Sequence, residues 1–279
     1  MKKFIAFILI VAALVSGAIA IVFLDEKPVN LLVYGLEGKR SDTIMIVMLN
    51  PSTDQIHVMH IPRDTYYPTA GHNGLGQSKL NATYGFKEGG GTAGLREAVE
   101  NLTGLDIDYF VEVDYAAVKG VVDALGGVEV DVPFKMEYDD RSATPPLHID
   151  FDAGLQNIPG SKAIGYLRFR KSNDGKIREG DVQRIDRQQQ FVKSAINKTL
   201  TWRLPVVLYQ GLKYVKTDVS LMTGARLAIM AQSISKDQVY FHLIPPAKTG
   251  RGKDGLSYFF HDTKKTETLI DAIRTGTWE

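Results

Sequence analysis

Thr43-Ile44-Met45-Ile46-Val47-Met48-Leu49, then Asn50-Pro51-Ser52-Thr53-Asp54, then Gln55-Ile56-His57-Val58-Met59-His60-Ile61, is the stretch whose reading decides the fold class. Two aliphatic runs of strand length flank a cluster of turn-forming residues. The pattern predicts two strands joined by a hairpin-like turn. Working outward, Val29 to Tyr34 reads as a further strand and Tyr66 to Ser78 as a loop rich in Gly, Pro, Asn and His. Thr92 to Leu102 carries Leu95, Val99 and Leu102 on one stripe and stops at Gly104, which predicts an amphipathic helix. Tyr109 to Val113 is a strand, Tyr115 to Leu125 a helix stopped by Gly126-Gly127, and Val128 to Val132 a strand. Lys135 to Asp152 reads as polar and irregular, and Ser161 to Phe169 as a short helix. Asp181 to Leu200 is the strongest helical pattern; Ser220 to Ser233 is a helix, Val239 to Ile244 a strand and Thr263 to Arg274 a last helix. Strands alternate with helices, yet neighbouring strands are also joined by short turns. The expected class is α/β, with a mixed β-sheet covered by helices on both faces. No internal repeat and no Pro/Ser-rich linker divides the chain, so residues 28–279 are expected to form one domain.

The first 27 residues read differently. Phe4 to Leu24 is an uncharged apolar run, preceded by Lys2 and Lys3 and followed by Asp25 and Glu26. About 20 such residues cross a bilayer core. The positive-inside rule keeps the lysines in the cytoplasm and sends the rest outside. Ala18-Ile19-Ala20 resembles the cleavage site of a signal peptide, but Ile21 to Leu24 continue the apolar run beyond it. The expectation is an uncleaved transmembrane signal anchor over residues 1–27, with the remainder extracytoplasmic at the cell membrane.

The whole chain has 279 residues, 33 Lys+Arg against 32 Asp+Glu, and no cysteine. A formal charge of +1 excludes a global basic field for coating nucleic acid, so any anion site must be a local cluster. The lack of cysteine excludes disulfides, thiolate nucleophiles and Cys-ligated zinc. No P-loop, no G-x-S-x-G elbow and no H-E-x-x-H is present. His57 and His60 alternate with Val58 and Ile61 and read as partly exposed strand residues rather than metal ligands. Gly89-Gly90-Gly91-Thr92 reads as a flexible loop with a Thr N-cap rather than a phosphate cradle, since no lysine follows.

Four arginine-containing patches stand at the ends of predicted elements: Arg40-Ser41-Asp42-Thr43, Ile61-Pro62-Arg63-Asp64-Thr65, Tyr166-Leu167-Arg168-Phe169-Arg170, and Asp181 to Phe191. In the last, Arg184, Gln188 and Phe191 share one helix face with Arg187 beside them, and Ile185, Val192, Ile196 and Leu200 form the opposite, core-facing stripe. Arginine offers a planar fork that grips phosphate bidentately and never loses its charge. Arginines beside carboxylates suit a diphosphate–metal site, the carboxylates taking a hard cation such as Mg²⁺. The alternative is that Asp42, Asp64, Asp181 and Asp186 pair with neighbouring arginines in surface salt bridges worth about 0–1 kcal/mol each.

In order, R-S-D-T, I-P-R-D-T, K-L-N-A-x-Y (Lys79 to Tyr84), V-E-N-L-T-G (Val99 to Gly104), V-D-A-L-G-G-V-E-V-D-V-P (Val122 to Pro133), Y-L-R-F-R and R-I-D-R-Q-Q-Q resemble the LytR-CpsA-Psr family over about Asn30 to Ile273. The resemblance implies a cell-wall glycopolymer ligase. Such an enzyme takes teichoic acid, capsule or a similar polymer from a polyprenyl pyrophosphate carrier and joins it to peptidoglycan by a phosphodiester. It also implies an α/β fold with an apolar tunnel for the prenyl chain. Carried over by motif, Asp42 would be a magnesium ligand. Arg63, Arg168, Arg170, Arg184 and Arg187 would bind the pyrophosphate, with Arg40 beside them and Asp181 and Gln188 completing the polar wall. Asp42, Arg63 and Arg184 would be the catalytic set.

The sequence departs from the family pattern ahead of R-S-D-T. Gly35-Leu36-Glu37-Gly38-Lys39-Arg40 stands where the family has G-x-D-x-R and a longer loop. Glu37 replaces the aspartate as the expected second metal ligand, Lys39 replaces the arginine, and Gln183 stands where the family has a glycine. Two other classes stay open: a prenyl-phosphate-binding regulator without turnover, and a lipid-carrier pyrophosphatase with water as acceptor.

Overall fold

The computed structural model describes residues 27–142, 146–179, 181–199, 214–234 and 238–277. The hairpin that decides the class forms as expected. β2 (Arg40–Asn50) and β3 (Gln55–His60) pair antiparallel around the Pro51–Asp54 turn, in which Asp54 takes a positive φ of 52°. β1 (Val29–Glu37) pairs antiparallel with β2 on one side and parallel with β4 (Tyr109–Val113) on the other. β9 (Lys216–Thr217) closes one edge and β10 (Val239–Leu243) the other, giving a mixed six-stranded sheet in the order β10-β3-β2-β1-β4-β9.

Both faces of this sheet are apolar, because the strands carry aliphatic residues at successive positions rather than at alternate ones. On one face Leu32, Tyr34, Ile44, Ile46, Met48 and Met59 pack against Leu95, Val99 and Leu102 of α1 (Gly91–Thr103) and Ile270 and Ile273 of the last helix, Thr263–Thr275. On the other, Leu31, Val47, Val58 and Val111 meet Leu227 and Met230 of the helix Leu221–Ser233. Helix α1 ends where Gly104 adopts φ 68°, a left-handed cap that a Cβ would strain.

A third cluster lies beyond the sheet. It joins α2 (Tyr115–Ala124), α3 (Gly160–Arg168) and α4 (Asp181–Thr199) to two antiparallel pairs. In these, β5 (Val128–Val132) pairs with β8 (Gly154–Ile158), and β6 (Met136–Asp140) with β7 (Leu147–Phe151). The segment expected to be irregular, Lys135 to Asp152, is therefore largely a hairpin. Its charged residues alternate with buried Met136, Ile149 and Phe151, a period-two pattern masked by the number of acids. A further hairpin, β11 (Pro246–Arg251) with β12 (Ser257–His261), and a 3-10 helix at Leu80–Gly85 complete the elements.

Two side-chain expectations need correction. His57 and His60 are buried rather than half-exposed, at 0% and 9%, because β3 is an inner strand covered on both faces. Thr92 is not the N-cap of α1. Gly90 holds that position without a side-chain bond, and the Thr92 hydroxyl lies 2.7 Å from the Tyr34 hydroxyl. The expected anchor, Phe4 to Leu24, lies outside the described residues; among the described residues no helix is long and apolar enough to cross a membrane.

Candidate active site

The site begins with a fault in a strand pairing. Gly35 faces Thr43 across the β1–β2 ladder, while the next residue of β1, Leu36, faces Ser41. Asp42 is thus the extra residue of a β-bulge, which re-aims a side chain locally. With Thr43 and Met45 it lines a cavity of about 910 Å³. The two-residue connection Gly38-Lys39 closes this hairpin, with Gly38 at φ 63°.

Arg63 enters from the neighbouring strand end. Beyond β3 the chain turns through Pro62 to Thr65, fixed by the Thr65 amide and hydroxyl donating to the Pro62 carbonyl at 3.0 and 2.6 Å. The turn carries Arg63 to Asp42, with Nη1 3.1 Å from Oδ2. Asn81, on the 3-10 helix, donates from Nδ2 to the other Asp42 oxygen at 3.3 Å, and its own amide donates to the Arg63 carbonyl at 3.1 Å. The Asn81 Oδ1 is buried without a hydrogen-bond partner among the described residues. Lys79 Nζ donates to Asp64 Oδ1 at 2.8 Å and holds the second carboxylate at the same mouth.

The opposite wall is built by α3 and α4. Arg168, at the last turn of α3, lines the cavity with its guanidinium 5.3 Å from the centre of the Tyr115 ring, and Arg170 lines it just beyond. Gln188 lines it too, and donates to the Leu167 carbonyl at 3.1 Å. Arg187 does not line it. Its side chain is 3% exposed, ion-paired with Glu179 at 2.7 Å, and donates to the carbonyls of Tyr166 and of Phe169 (2.7 Å). The physical reason is the C-terminus of α3, whose last carbonyls have no helical partner. Arg187 and Gln188 supply the donors, and so fix the end of α3 from which Arg168 and Arg170 project. On the face of α4 expected to be polar, Arg187 and Phe191 are buried, Gln188 is half-buried, and Phe191 also lies at the cavity wall. Arg40 is exposed at the hairpin tip and does not line the cavity. The side chains of Glu37, Asp181 and Arg184 lie outside those described, as do those of Ile185, Ile196 and Leu200.

Below this polar mouth the wall is apolar: Val33, Met45, Val58 and Val111 from the sheet, Val118 and Val121 from α2, and Phe191 and Ala195 from α4. The arrangement can hold an amphiphile, with an anionic head among Asp42, Arg63, Arg168 and Arg170 and a hydrocarbon tail below. The motif reading gave no role to Asn81, Lys79 or His60. Lys79 and Asn81 stood in one of the quoted motif blocks, which was the available signal.

The LytR_cpsA_psr family profile matches residues 14–275. The chain belongs to this family. Among relatives, it is 28% identical over 266 residues to the polyisoprenyl-teichoic acid–peptidoglycan teichoic acid transferase TagV of Bacillus subtilis, covering 91% of this chain and 66% of that protein. It is 34% identical over 178 residues to TagU of the same organism, named for the same reaction, covering 62% of this chain and 53% of TagU. The matched stretch thus spans between half and two thirds of these relatives' own lengths. The crystal structure of B. subtilis TagV superposes on this LytR_cpsA_psr domain with a TM-score of 0.73 at 27% identity, over 91% of this chain and 98% of that one. The mixed α/β architecture is that of the family.

Proposed function

We propose that this protein is a phosphotransferase that moves a glycopolymer, teichoic acid, capsule or similar, from a polyprenyl pyrophosphate carrier to a hydroxyl of peptidoglycan. The observation that carries this reading is the joining of a long apolar cavity to a mouth that holds Asp42, Arg63, Arg168 and Arg170. The carrier has the same division: a hydrocarbon chain ending in a diphosphate. The names of the relatives TagU and TagV, as teichoic acid transferases, supply the acceptor class.

In the proposed reaction the acceptor hydroxyl oxygen attacks the glycan-side phosphorus. The P–O–P bridge breaks and prenyl phosphate leaves with the bond pair. The hydroxyl proton passes to a carboxylate at the mouth, Asp42 or Asp64. Arg63, Arg168 and Arg170 hold the non-bridging oxygens, where a planar fork is worth more than a point charge. Arg184 and Asp181, carried over by motif, would join these arginines in binding the diphosphate. The chain does little covalent work; it positions the groups and stabilises the charge.

A magnesium ion fits the donor set. Mg²⁺ is commonly held by one or two carboxylates, with substrate phosphates completing the shell. Asp42 is such a carboxylate, and the unpartnered Oδ1 of Asn81 is a hard oxygen beside it. Among the described residues no group of three or more His, Cys, Asp or Glu side chains could hold a metal, so most of the shell would come from substrate. Glu37 would be the second ligand. Bound there, the ion would neutralise charge on the diphosphate oxygens. Phe4 to Leu24 would anchor the chain in the cell membrane, with residues 28–279 on the extracytoplasmic side, where carrier and peptidoglycan meet.

The test is reconstitution of the full chain in detergent with a lipid-linked glycopolymer and peptidoglycan. Polymer bound covalently to the peptidoglycan through a phosphodiester supports the transferase. Release of phosphate without attached polymer identifies a pyrophosphatase, and tight lipid binding without turnover identifies a regulator.

A further inference from the structure

Strand register divides the cavity wall into rows. Leu243 faces His60, His60 faces Met45, Met45 faces Val33 and Val33 faces Val111, so these five residues form one row across β10, β3, β2, β1 and β4. One row nearer the mouth stand Thr43, Gly35 and Val113. One row deeper stand Phe241, Val58 and Val47. His60 is the single polar side chain among these five; Thr217 of β9, which faces Val111, extends the row at the far edge and donates to the Phe110 carbonyl. His60 lines the cavity, is 9% exposed, and makes no side-chain hydrogen bond or ion pair among the described residues.

A neutral imidazole carries one N–H donor and one acceptor nitrogen. Burial holds the His60 ring in this neutral form, its pKa pushed down to about 4. Its ring nitrogens are not sealed in the core but open onto the cavity. An aliphatic residue would fit this row without leaving a donor unused. The unused donor is aimed into the cavity one step below the Asp42–Arg63 pair, at the depth where a polar head gives way to a hydrocarbon tail.

The geometry points to His60 as a further substrate-binding residue, whose ring N–H donates to a non-bridging oxygen of the lipid-proximal phosphate of a prenyl pyrophosphate. This inference rests on the proposed function and deepens it. A diphosphate places its two phosphates in series along the axis of the cavity. With the glycan-side phosphate among the arginines of the mouth, the lipid-side phosphate lies one step deeper, at the His60 row. The residue would then read where the phosphate ends and the chain begins, and would set the register of the scissile P–O–P bridge against Asp42 and Arg63.

The experiment measures binding of two probes, farnesyl pyrophosphate and farnesol, to the full chain in detergent, with thermal melting in parallel. His60→Leu is expected to melt no lower than wild type, to bind farnesol as well or better, and to bind farnesyl pyrophosphate about tenfold more weakly, equivalent to about 1.4 kcal/mol. His60→Gln, which keeps a donor, is expected to recover most of that loss. A parallel loss for both probes would make His60 a packing residue and overturn the inference, as would unchanged farnesyl pyrophosphate binding in His60→Leu. Arg63→Lys separates the two levels of the argument. If it weakens the pyrophosphate probe while His60→Leu does not, the prenyl pyrophosphate reading stands and the role of His60 falls. If wild type binds neither probe, both fall.

Discussion

Asp42, the residue by which β2 exceeds the strand it pairs with, meets Arg63 at 3.1 Å. The bulge leaves Asp42 without a partner across the ladder, and its side chain lines the cavity wall where the turn after β3 delivers the guanidinium. Neither residue is deeply buried, with side chains 23% and 35% exposed, so the pair contributes little to folding. Its worth lies in presenting a carboxylate and a fork at one mouth.

Arg63→Lys should therefore separate activity from stability. The charge is kept and the bidentate fork lost. Polymer transfer is expected to fall by about 10²-fold or more, the range for removal of one preorganised electrostatic group. Stability should change by less than about 1 kcal/mol. A transfer assay and a urea titration on the same preparation check both.

Arg187 should behave in the opposite way. Its guanidinium and the Glu179 carboxylate are 3% and 5% exposed and paired with each other. Arg187→Met leaves Glu179 charged and buried alone, and strips the donors from the last carbonyls of α3. The expected loss is about 3–5 kcal/mol of stability. The double variant Arg187→Met with Glu179→Leu should recover part of it, which a double-mutant cycle by urea unfolding would read.

If Asp42 and Asn81 hold Mg²⁺ as proposed, their variants should change the magnesium requirement. Asp42→Asn should raise the Mg²⁺ concentration for half-maximal transfer, and Asn81→Ala should raise it about tenfold, the usual effect of losing a group that orients a ligand. Glu37→Gln is the companion. An unchanged requirement in that variant, beside a clear rise in Asp42→Asn, would leave one protein carboxylate on the metal.

Acid should destabilise the sheet through its buried histidines. His57 stacks on His242, with Nδ1 2.9 Å from Nε2, and burial followed by the His242 charge pushes its pKa down to about 4. His60 is likewise pushed down to about 4, by burial. A histidine whose folded pKa lies below its unfolded value near 6.5 takes up its proton on unfolding. Its contribution is thus intact above about pH 6.5 and lost as the pH falls toward 4. The ceiling is on the order of 3 kcal/mol per histidine. The urea midpoint should fall between pH 7 and pH 5, and His57→Phe should flatten that dependence.

Filling the cavity should discriminate by chain length. Ala195 lies in the apolar wall, below the charged mouth. Ala195→Trp is expected to weaken a long polyprenyl phosphate roughly tenfold or more while leaving competition by inorganic pyrophosphate unchanged. Equal loss for both ligands would show that the substitution disturbs the mouth.

The sequence by itself determined the element types of the central strands and the main helices, because they rest on local periodicity and punctuation, while the hairpins of Met136–Phe151 and Pro246–His261 were not legible in it. The aliphatic runs around Asn50-Pro51 read as strands, and Gly104 and Gly126-Gly127 as helix ends. The motif order was also enough to reach the family and the Asp42–Arg63–Arg168–Arg170 cluster, since residue type and chain order survive without coordinates. Tertiary structure decided the direction in which each side chain points. A bulge of one residue leaves Asp42 unpaired in the ladder beside Arg63, and nothing in R-S-D-T records that pairing fault. Arg187 and Arg168 are alike in sequence, yet one closes the end of α3 and the other lines the cavity, because packing of α4 against α3 puts the Arg187 guanidinium at the free carbonyls of α3. His60 followed the alternation of an exposed strand face and became a cavity residue only when β10 was laid beside β3. Orientation, burial and partner choice are settled by contacts between elements far apart in the chain, and those contacts exist only in the folded molecule.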